Sequence, residues 1–340
     1  MSEPTNKSNK RKKQEEIVEQ DETTAPIDLE LIKKQFKDLV RPIKDNDDRL
    51  DFISFVCSHL NIQIDPIPDH KPKESKQENV LATIIQDIKD SLPDITTEAP
   101  NEFICIPKNN SFKGYTKENT INVDGFLYTD EDIDEMVESG KLQSHYCLDC
   151  NSKSVATLNY ISHSTTPNQL KYMFSEAFLG DTTDKKLLDI GSRLGSVLYT
   201  GYLFGQCSKL TGIEINQFFV DLQKNIIKKY KMTDKIDIVH GDIMKNSDLV
   251  QQSDIIYMNN VLEFFQENKD LHIEFWKFIQ KHTKKGMKLV TIPSLEESFK
   301  NNKIPLKLKG WVKKIDTDIP VPEDDPTFGD YQEIHLYTIL

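Results

Sequence analysis

Acidic and amide side chains follow four successive apolar segments of this sequence. Asp189 lies at the end of the first segment, Glu214 in the second, Asp242 after the third and Asn259 after the fourth. Ligands of open α/β sheets bind beyond the carboxyl ends of the strands, so we expect these four side chains to surround one ligand. Taken singly, Glu214 or Asp242 could instead cap the turn that follows it. Four such residues in order, each at the end of an apolar segment, favour a shared site.

The first segment leads into a glycine turn and then a helical segment. Gly191 allows a tight turn and leaves room for a ligand to approach the backbone, and the start of the next helix favours negative charge. We expect Arg193, in the middle of this turn, to pair with a ligand carboxylate. The Gly-x-Gly-x-x-Gly fingerprint is absent, which disfavours a dinucleotide oxidoreductase. The predicted ligand-binding set is Asp189, Gly191, Ser192, Arg193, Gly195, Glu214, Ile215, Gly241, Asp242, Ile243 and Asn259.

The elements that carry these residues predict an α/β domain over residues 161–340. Fully apolar segments alternate there with amphipathic helices, which is typical of a doubly wound, mostly parallel sheet with helices on both faces. The predicted strands are Leu187–Ile190, Leu210–Ile215, Ile236–Val239, Asp254–Met258, Lys288–Ile292 and a last strand at His335–Leu340. Residues 27–160 predict a smaller, mainly helical domain that could help to recognise the substrate, and residues 1–26 predict a disordered tail.

The motifs Asp189-x-Gly191, Glu214, Asp242 and the segment Asp254–Asn260 resemble those of the class I S-adenosylmethionine-dependent methyltransferases. This resemblance covers residues 161–340. It implies a Rossmann-like sheet of seven strands with an antiparallel last strand, S-adenosylmethionine as the cofactor, and an acceptor bound by loops and the extra domain. Arg193 departs from the family pattern, which usually has a glycine there.

The fourth segment is also similar to the strand-four motif of the non-SET histone-lysine methyltransferases. Methyl transfer requires an in-line approach of the acceptor, and an amine acceptor must also lose a proton. We therefore expect Asn259 and Asn260 to orient an amine through their amide oxygens, with Glu263 as a candidate base. A solvent-facing helix position is the alternative for Glu263.

Three functions follow from these features. The first is an enzyme that methylates a nitrogen of a protein or peptide. The second is a methyltransferase that acts on a small molecule or on RNA. The third is a non-catalytic binding or scaffold protein on the same fold, which the unusual Arg193 keeps open.

The composition of the chain limits the kinds of partner that we expect. The 43 basic and 55 acidic residues give a net charge of −12, which disfavours nucleic acid unless a local basic face compensates. We expect a protein or small-molecule acceptor. The apolar segments are too short to span a bilayer, and the start of the sequence lacks the apolar core of a secretory signal. These features predict an intracellular protein without a membrane partner, in the cytoplasm or, if the basic run at residues 10–13 is an import signal, in the nucleus.

One further group of residues could bind metal. The pair Cys147 and Cys150 forms half of a zinc site, because a closed structural site needs four ligands, and His145 could be a third ligand. No second Cys-x-x-Cys is present in the sequence, so the fourth ligand would have to be Cys105 or a distant histidine.

Overall fold

The computed structural model describes residues 29–44, 46–59, 75–92, 98–99, 102, 106, 113–117, 119–143, 145–147, 155–161, 164–262, 268–323, 325 and 327–340. The chain forms two compact units, residues 1–73 and 74–340. Residues 74–160 therefore belong to the same unit as the sheet, whereas the sequence placed a boundary after residue 160. The substrate-recognition role of residues 27–160 stays a prediction. The predicted tail lies outside the described residues.

The first unit contains two helices, α1 (Leu29–Val40) and α2 (Asn46–His59). The rings of Phe36 and Phe52 lie 5.8 Å apart between their centroids, so the two helices contact through aromatic side chains. No helix in the described part of the chain is long and apolar enough to cross a membrane.

The second unit begins with short elements that precede the main sheet. Helix α3 begins after the cap residue Ser75, and α4 begins after the cap residue Thr129. The elements of this part are α3 (Lys76–Ser91), β1 (Thr120–Asn122), α4 (Asp130–Glu138), β2 (His145–Cys147), β3 (Val155–Thr157), β4 (Asn159–Ile161) and α5 (Pro167–Met173). Strand β1 pairs in parallel with β4, and β2 pairs with β3 in the antiparallel sense.

The main sheet has seven strands in the order β10-β11-β9-β8-β5-β6-β7. Strand β11 is antiparallel to both of its neighbours, and the four pairings among strands β5 to β9 are parallel. The strands are β5 (Lys186–Ile190), β6 (Lys209–Glu214), β7 (Ile236–His240), β8 (Ile255–Asn259), β9 (Lys288–Ile292), β10 (Val312–Ile315) and β11 (His335–Ile339). The predicted fold class is confirmed: this is the seven-stranded, Rossmann-like methyltransferase sheet.

Helices cover both faces of the sheet because side chains of the buried strands alternate between two cores. The remaining helices are α6 (Ser196–Phe204), α7 (Gln217–Lys229), α8 (Ser247–Gln252), α9 (Lys269–His282), α10 (Leu295–Asn302) and α11 (Phe328–Gln332). Leu187 packs into one core together with α3, α5, α6 and α7, and its neighbour Leu188 packs into the other with α8, α9 and α10.

The strand order reverses between β5 and β8. The chain proceeds from β5 to β6 and β7 on one side, then crosses to β8 and β9 on the other. The carboxyl ends of β5 and β8 therefore leave a crevice, which is where open α/β sheets bind their ligands.

Candidate functional site

The turn between β5 and α6 has an unusual backbone. Gly191, Arg193 and Gly195 have φ values of +77°, +39° and +81°. The amide groups of Gly191 and Ser192 donate to the carbonyl oxygen of Ile213, at 2.9 and 3.2 Å, which ties the turn to β6. Gly195 is the cap residue of α6 and provides no side-chain cap. The start of this helix is thus free of a capping side chain from its own N-cap, as an anion-binding turn requires.

Gly212 allows the turn to lie close to β6. A Cβ atom at this position would come within 2.7 Å of the Ser192 hydroxyl oxygen and 2.8 Å of a Leu198 methyl carbon. Gly212 was not among the predicted site residues. Its position in the middle of a strand was the available signal, since such a glycine often marks close approach of another segment.

The carboxylate of Glu214 is held in place by the backbone. The amide of Arg193 donates to Oε2 at 2.9 Å, and the amide of Asn216 donates to Oε1 at 2.8 Å. Burial raises the pKa of Glu214, and these two hydrogen bonds oppose the rise. Each oxygen keeps a further lone pair, so the fixed carboxylate can accept two more hydrogen bonds from a diol.

Asp189 is a buried carboxylate that lacks a donor. It is 2% exposed, and no hydrogen bond or ion pair to its side chain occurs among the described residues. Burial raises its pKa well above the usual value, and the nearby charge of Glu214 adds to this. Since an unpaired buried carboxylate is costly, this side chain is suited to a cationic ligand group.

Arg193 does not point its charge at a ligand carboxylate, contrary to our expectation. Its guanidinium binds Glu102 (Nη2 to Oε2, 3.2 Å) and Asp124 (Nη1 to Oδ2, 3.3 Å). The hydroxyl of Ser164 also donates to Asp124. The sequence could not reveal this cluster, because Glu102 and Asp124 are two among 55 acidic residues and lie far from the turn along the chain.

Three further residues of the predicted ligand-binding set lie at the ends of β6 and β7. The Asp242 carboxylate accepts from the amide of Met244 at 2.9 Å, so it caps a short turn and also lines the cavity described below. The capping alternative for Asp242 therefore applies, and its contact with a ligand stays a prediction. Ile215 is 69% exposed at the cavity wall, and Gly241 is tied to β6 by a 2.9 Å hydrogen bond to the carbonyl of Glu214.

A chain of side-chain hydrogen bonds fixes Asn259. Its Nδ2 donates to Thr165 Oγ1 at 3.0 Å, and its Oδ1 accepts from Asn260 Nδ2 at 2.9 Å. Thr165 also shares a short hydrogen bond with the buried hydroxyl of Tyr257. Thr165 was not predicted, since nothing in its local sequence connects it with β8.

These groups line one cavity of about 440 Å³. This volume falls within the range of about 300–1,000 Å³ that is typical of ligand pockets. Every predicted ligand-binding residue lines it except Gly195, whose neighbours Leu194 and Ser196 both line the cavity. Apolar side chains of Val261, Leu262, Leu271 and Phe275 continue the wall beyond Asn259. Asn260 contacts Asn259 without lining the cavity.

The candidate base and part of the candidate zinc site are not described by the structure. Glu263 and Cys150 lie outside the described residues, and the side chain of Cys147 is not described. His145 is exposed at the start of β2. The described part of the chain contains no group of three or more histidine, cysteine or acidic side chains that could hold a metal ion.

The polar groups that line the cavity match the polar groups of S-adenosylmethionine. The unpaired Asp189 can face the cofactor's ammonium group, and the fixed carboxylate of Glu214 can accept the two ribose hydroxyls. Asp242 and the exposed Ile215 can hold the adenine ring between them. The open amino end of α6 can receive the methionine carboxylate, which replaces the role expected of the Arg193 side chain.

Comparisons with known proteins find a family match for part of the chain. Residues 143–297 match the sequence profile of a family described as O-methyltransferase. No curated protein matches the chain. The O-methyltransferase of Bacillus cereus is 10% identical, with 53% of this chain and 84% of that chain covered and a TM-score of 0.35.

Two further solved structures are similar. The C-terminal domain of precorrin-6Y C5,15-methyltransferase of Rhodobacter capsulatus is 18% identical, covering 43% of this chain and 74% of its own, with a TM-score of 0.31. An RNA methyltransferase of Salinibacter ruber is 12% identical, covering 51% and 89%, with a TM-score of 0.32. The chain therefore has the class I S-adenosylmethionine-dependent methyltransferase fold, and its residues 143–297 match a family described as O-methyltransferase.

Proposed function

We propose that this enzyme transfers the methyl group of S-adenosylmethionine to a hydroxyl oxygen of a small molecule. The observation that carries this proposal is the single cavity that joins Glu214 to Asn259, with apolar walls beyond Asn259. A pocket that encloses both the cofactor residues and an apolar extension suits a small acceptor that is drawn in beside the cofactor. The profile match to a family described as O-methyltransferase supports oxygen as the acceptor atom.

Hydrogen bonding at Asn259 also supports a hydroxyl. An amine acceptor needs several hydrogen-bond acceptors to orient its protons, whereas a hydroxyl donates one hydrogen bond. Asn259 Oδ1 already accepts from Asn260, and its amide group already donates to Thr165. This arrangement leaves less capacity for an amine than we expected from the sequence, and the expected methylation of a protein nitrogen gains no support from the comparisons.

The residues of the chain would act chiefly by positioning. S-adenosylmethionine supplies an electrophilic methyl group on a sulfonium when it is bound. Glu214, Asp242 and Asp189 would hold the cofactor through groups that the backbone or burial already fixes. Asn259, held from both sides, would orient the acceptor oxygen for an in-line approach, and such preorganisation lowers the barrier without reorganisation during the reaction.

Transfer of a labelled methyl group tests the proposal. The enzyme is incubated with S-[methyl-³H]adenosylmethionine and a cell extract, and the products are separated into small molecules, protein and RNA. We expect label in the small-molecule fraction as a methyl ether, identified by mass spectrometry, and loss of this label with Asn259→Ala. Label that is confined to protein or RNA would contradict the proposal.

A further inference from the structure

A strongly basic face interrupts the acidic surface of this protein. Residues 275–315 contain eleven lysines against two glutamates, with no aspartate and no arginine, although the whole chain has a net charge of −12. Lys288 is half-buried and the other ten lysines are exposed. We call the exposed lysines at the ends of α9 and α10 and in the segments before β9 and β10 the basic face; they are Lys281, Lys284, Lys285, Lys300, Lys303, Lys307 and Lys309.

Packing between aromatic side chains brings the three segments of this face together. The ring of Trp276 on α9 lies 5.2 Å from that of Phe299 on α10, and Phe299 lies 6.2 Å from Trp311 before β10. Trp311 Nε1 donates to Thr283 Oγ1 at 3.2 Å, just after α9. The lysines near the ends of these segments therefore share one side of the molecule.

Ion pairs to these lysines do not occur among the described residues. None of the ten exposed lysines forms an ion pair with a described residue, and Lys284 donates instead to the neutral carbonyl of Gln251 at 2.6 Å. One of the two glutamates, Glu296, accepts a hydrogen bond from Tyr337. The basic face therefore attracts anions at short range even though the protein as a whole repels them.

The composition of the face indicates which anion it fits. All of its cations are lysines, whose ammonium groups bind phosphate as point charges without reading sequence. No large apolar side chain is exposed within residues 275–315, so the aromatic anchors of a protein interface and the inserted residues of a membrane-binding surface are both lacking there. We propose that the basic face binds the phosphate backbone of a nucleic acid.

The basic face is separate from the cavity. Lys284 and Lys285 precede β9, and Lys307 and Lys309 precede β10, so these residues lie towards the amino ends of these strands. The cavity lies at the carboxyl ends of β5, β6 and β8. A nucleic acid on this face would dock the enzyme without entering the active site, and this inference is independent of the acceptor proposed above.

Charge-reversal variants and salt titration test the inference. Fluorescence anisotropy with short labelled duplex DNA, and separately with single-stranded RNA, gives the binding constant of the full chain between about 50 and 200 mM salt. K281E/K309E is compared with K224E/K228E, which changes the same charge on exposed lysines of α7. Unchanged affinity for S-adenosylmethionine shows that each variant remains folded.

The wild-type chain is expected to bind, with an affinity that falls steeply as salt rises. In K281E/K309E the affinity should be at least about tenfold lower, and the slope of log K against log salt should fall by about 0.9 for each lost contact with duplex phosphate. The control should stay close to wild type. Absence of binding at low salt, or equal losses in both variants, would overturn the inference. Displacement of the nucleic acid by polyglutamate at equal charge would also overturn it, in favour of an acidic protein.

Discussion

Replacing Asp189 with asparagine should stabilise the protein in the absence of cofactor and weaken cofactor binding. The carboxylate is 2% exposed and lacks a donor among the described residues, and Glu214 adds a like charge nearby. An unsatisfied buried polar group destabilises a fold by about 1–3 kcal/mol. Asparagine has nearly the same shape without the charge, so Asp189→Asn should raise the free energy of unfolding by about this amount.

The pH dependence of this effect follows from the direction of the pKa shift. The folded-state pKa of Asp189 is raised above its unfolded value, so the destabilisation is fully present above the folded pKa. It disappears as the pH falls towards the unfolded pKa, because the carboxyl is then protonated in both states. The stability difference between wild type and Asp189→Asn should therefore shrink as the solution is acidified.

Urea unfolding with and without S-adenosylmethionine measures both effects. At a cofactor concentration about 100 times the dissociation constant, binding should stabilise the wild type by about 2.7 kcal/mol, and the stabilisation of Asp189→Asn should be clearly smaller. Asp237→Asn is the matched control, because Asp237 is an exposed carboxylate in an ion pair with Lys209. A less stable Asp189→Asn apoprotein, or an equal cofactor effect in both proteins, would refute the reasoning.

Three other substitutions probe the rest of the site. Arg193→Ala leaves Glu102 and Asp124 buried without their cation and should reduce the free energy of urea unfolding by about 3–5 kcal/mol, whereas Lys209→Ala at an exposed pair should change it by less than about 1 kcal/mol. Asn259→Ala should lower kcat by about 100-fold with little change in cofactor affinity. Weaker cofactor binding in calorimetry with an unchanged kcat would instead assign Asn259 to cofactor binding. Gly212→Ala introduces a Cβ within 2.7 Å of Ser192 and should destabilise the fold by about 1–3 kcal/mol in the same unfolding assay.

The sheet and the ligand-binding edge could be predicted from local patterns. The apolar strands are buried on both faces, so their composition identifies them without knowledge of the fold. Glu214 ends β6 and Asp242 follows β7, and the topology then places them at the same edge. The edge strand β10 was not located, because two of its four residues are exposed lysines and its apolar pattern is short.

Contacts between distant segments were not predictable. The pairing of Arg193 with Glu102 and Asp124 spans 91 and 69 residues, and many acidic residues of this chain were equally plausible partners for an arginine. Our expectation for Arg193 failed because a buried guanidinium is satisfied by whichever carboxylates the fold brings to it. Thr165 is similar, since its hydrogen bond to Asn259 spans 94 residues.

The basic face shows how an average over the whole chain can mislead. The net charge of −12 disfavoured a nucleic-acid partner, and residues 10–13 were the basic segment from which nuclear import was predicted. The lysines of residues 275–315 are spaced along helices and a loop, so they do not form an uninterrupted run. They come together only when α9, α10 and the segment before β10 pack through their aromatic rings.

Binding of S-adenosylmethionine to the wild type and to Glu214→Ala, measured by isothermal titration calorimetry, tests the central claim most directly. The account predicts one site per chain in the wild type. It predicts at least about 100-fold weaker binding in Glu214→Ala, because two hydrogen bonds to a charged group are lost, each of about 1.5–3 kcal/mol. Equal affinity in the two proteins would contradict the account.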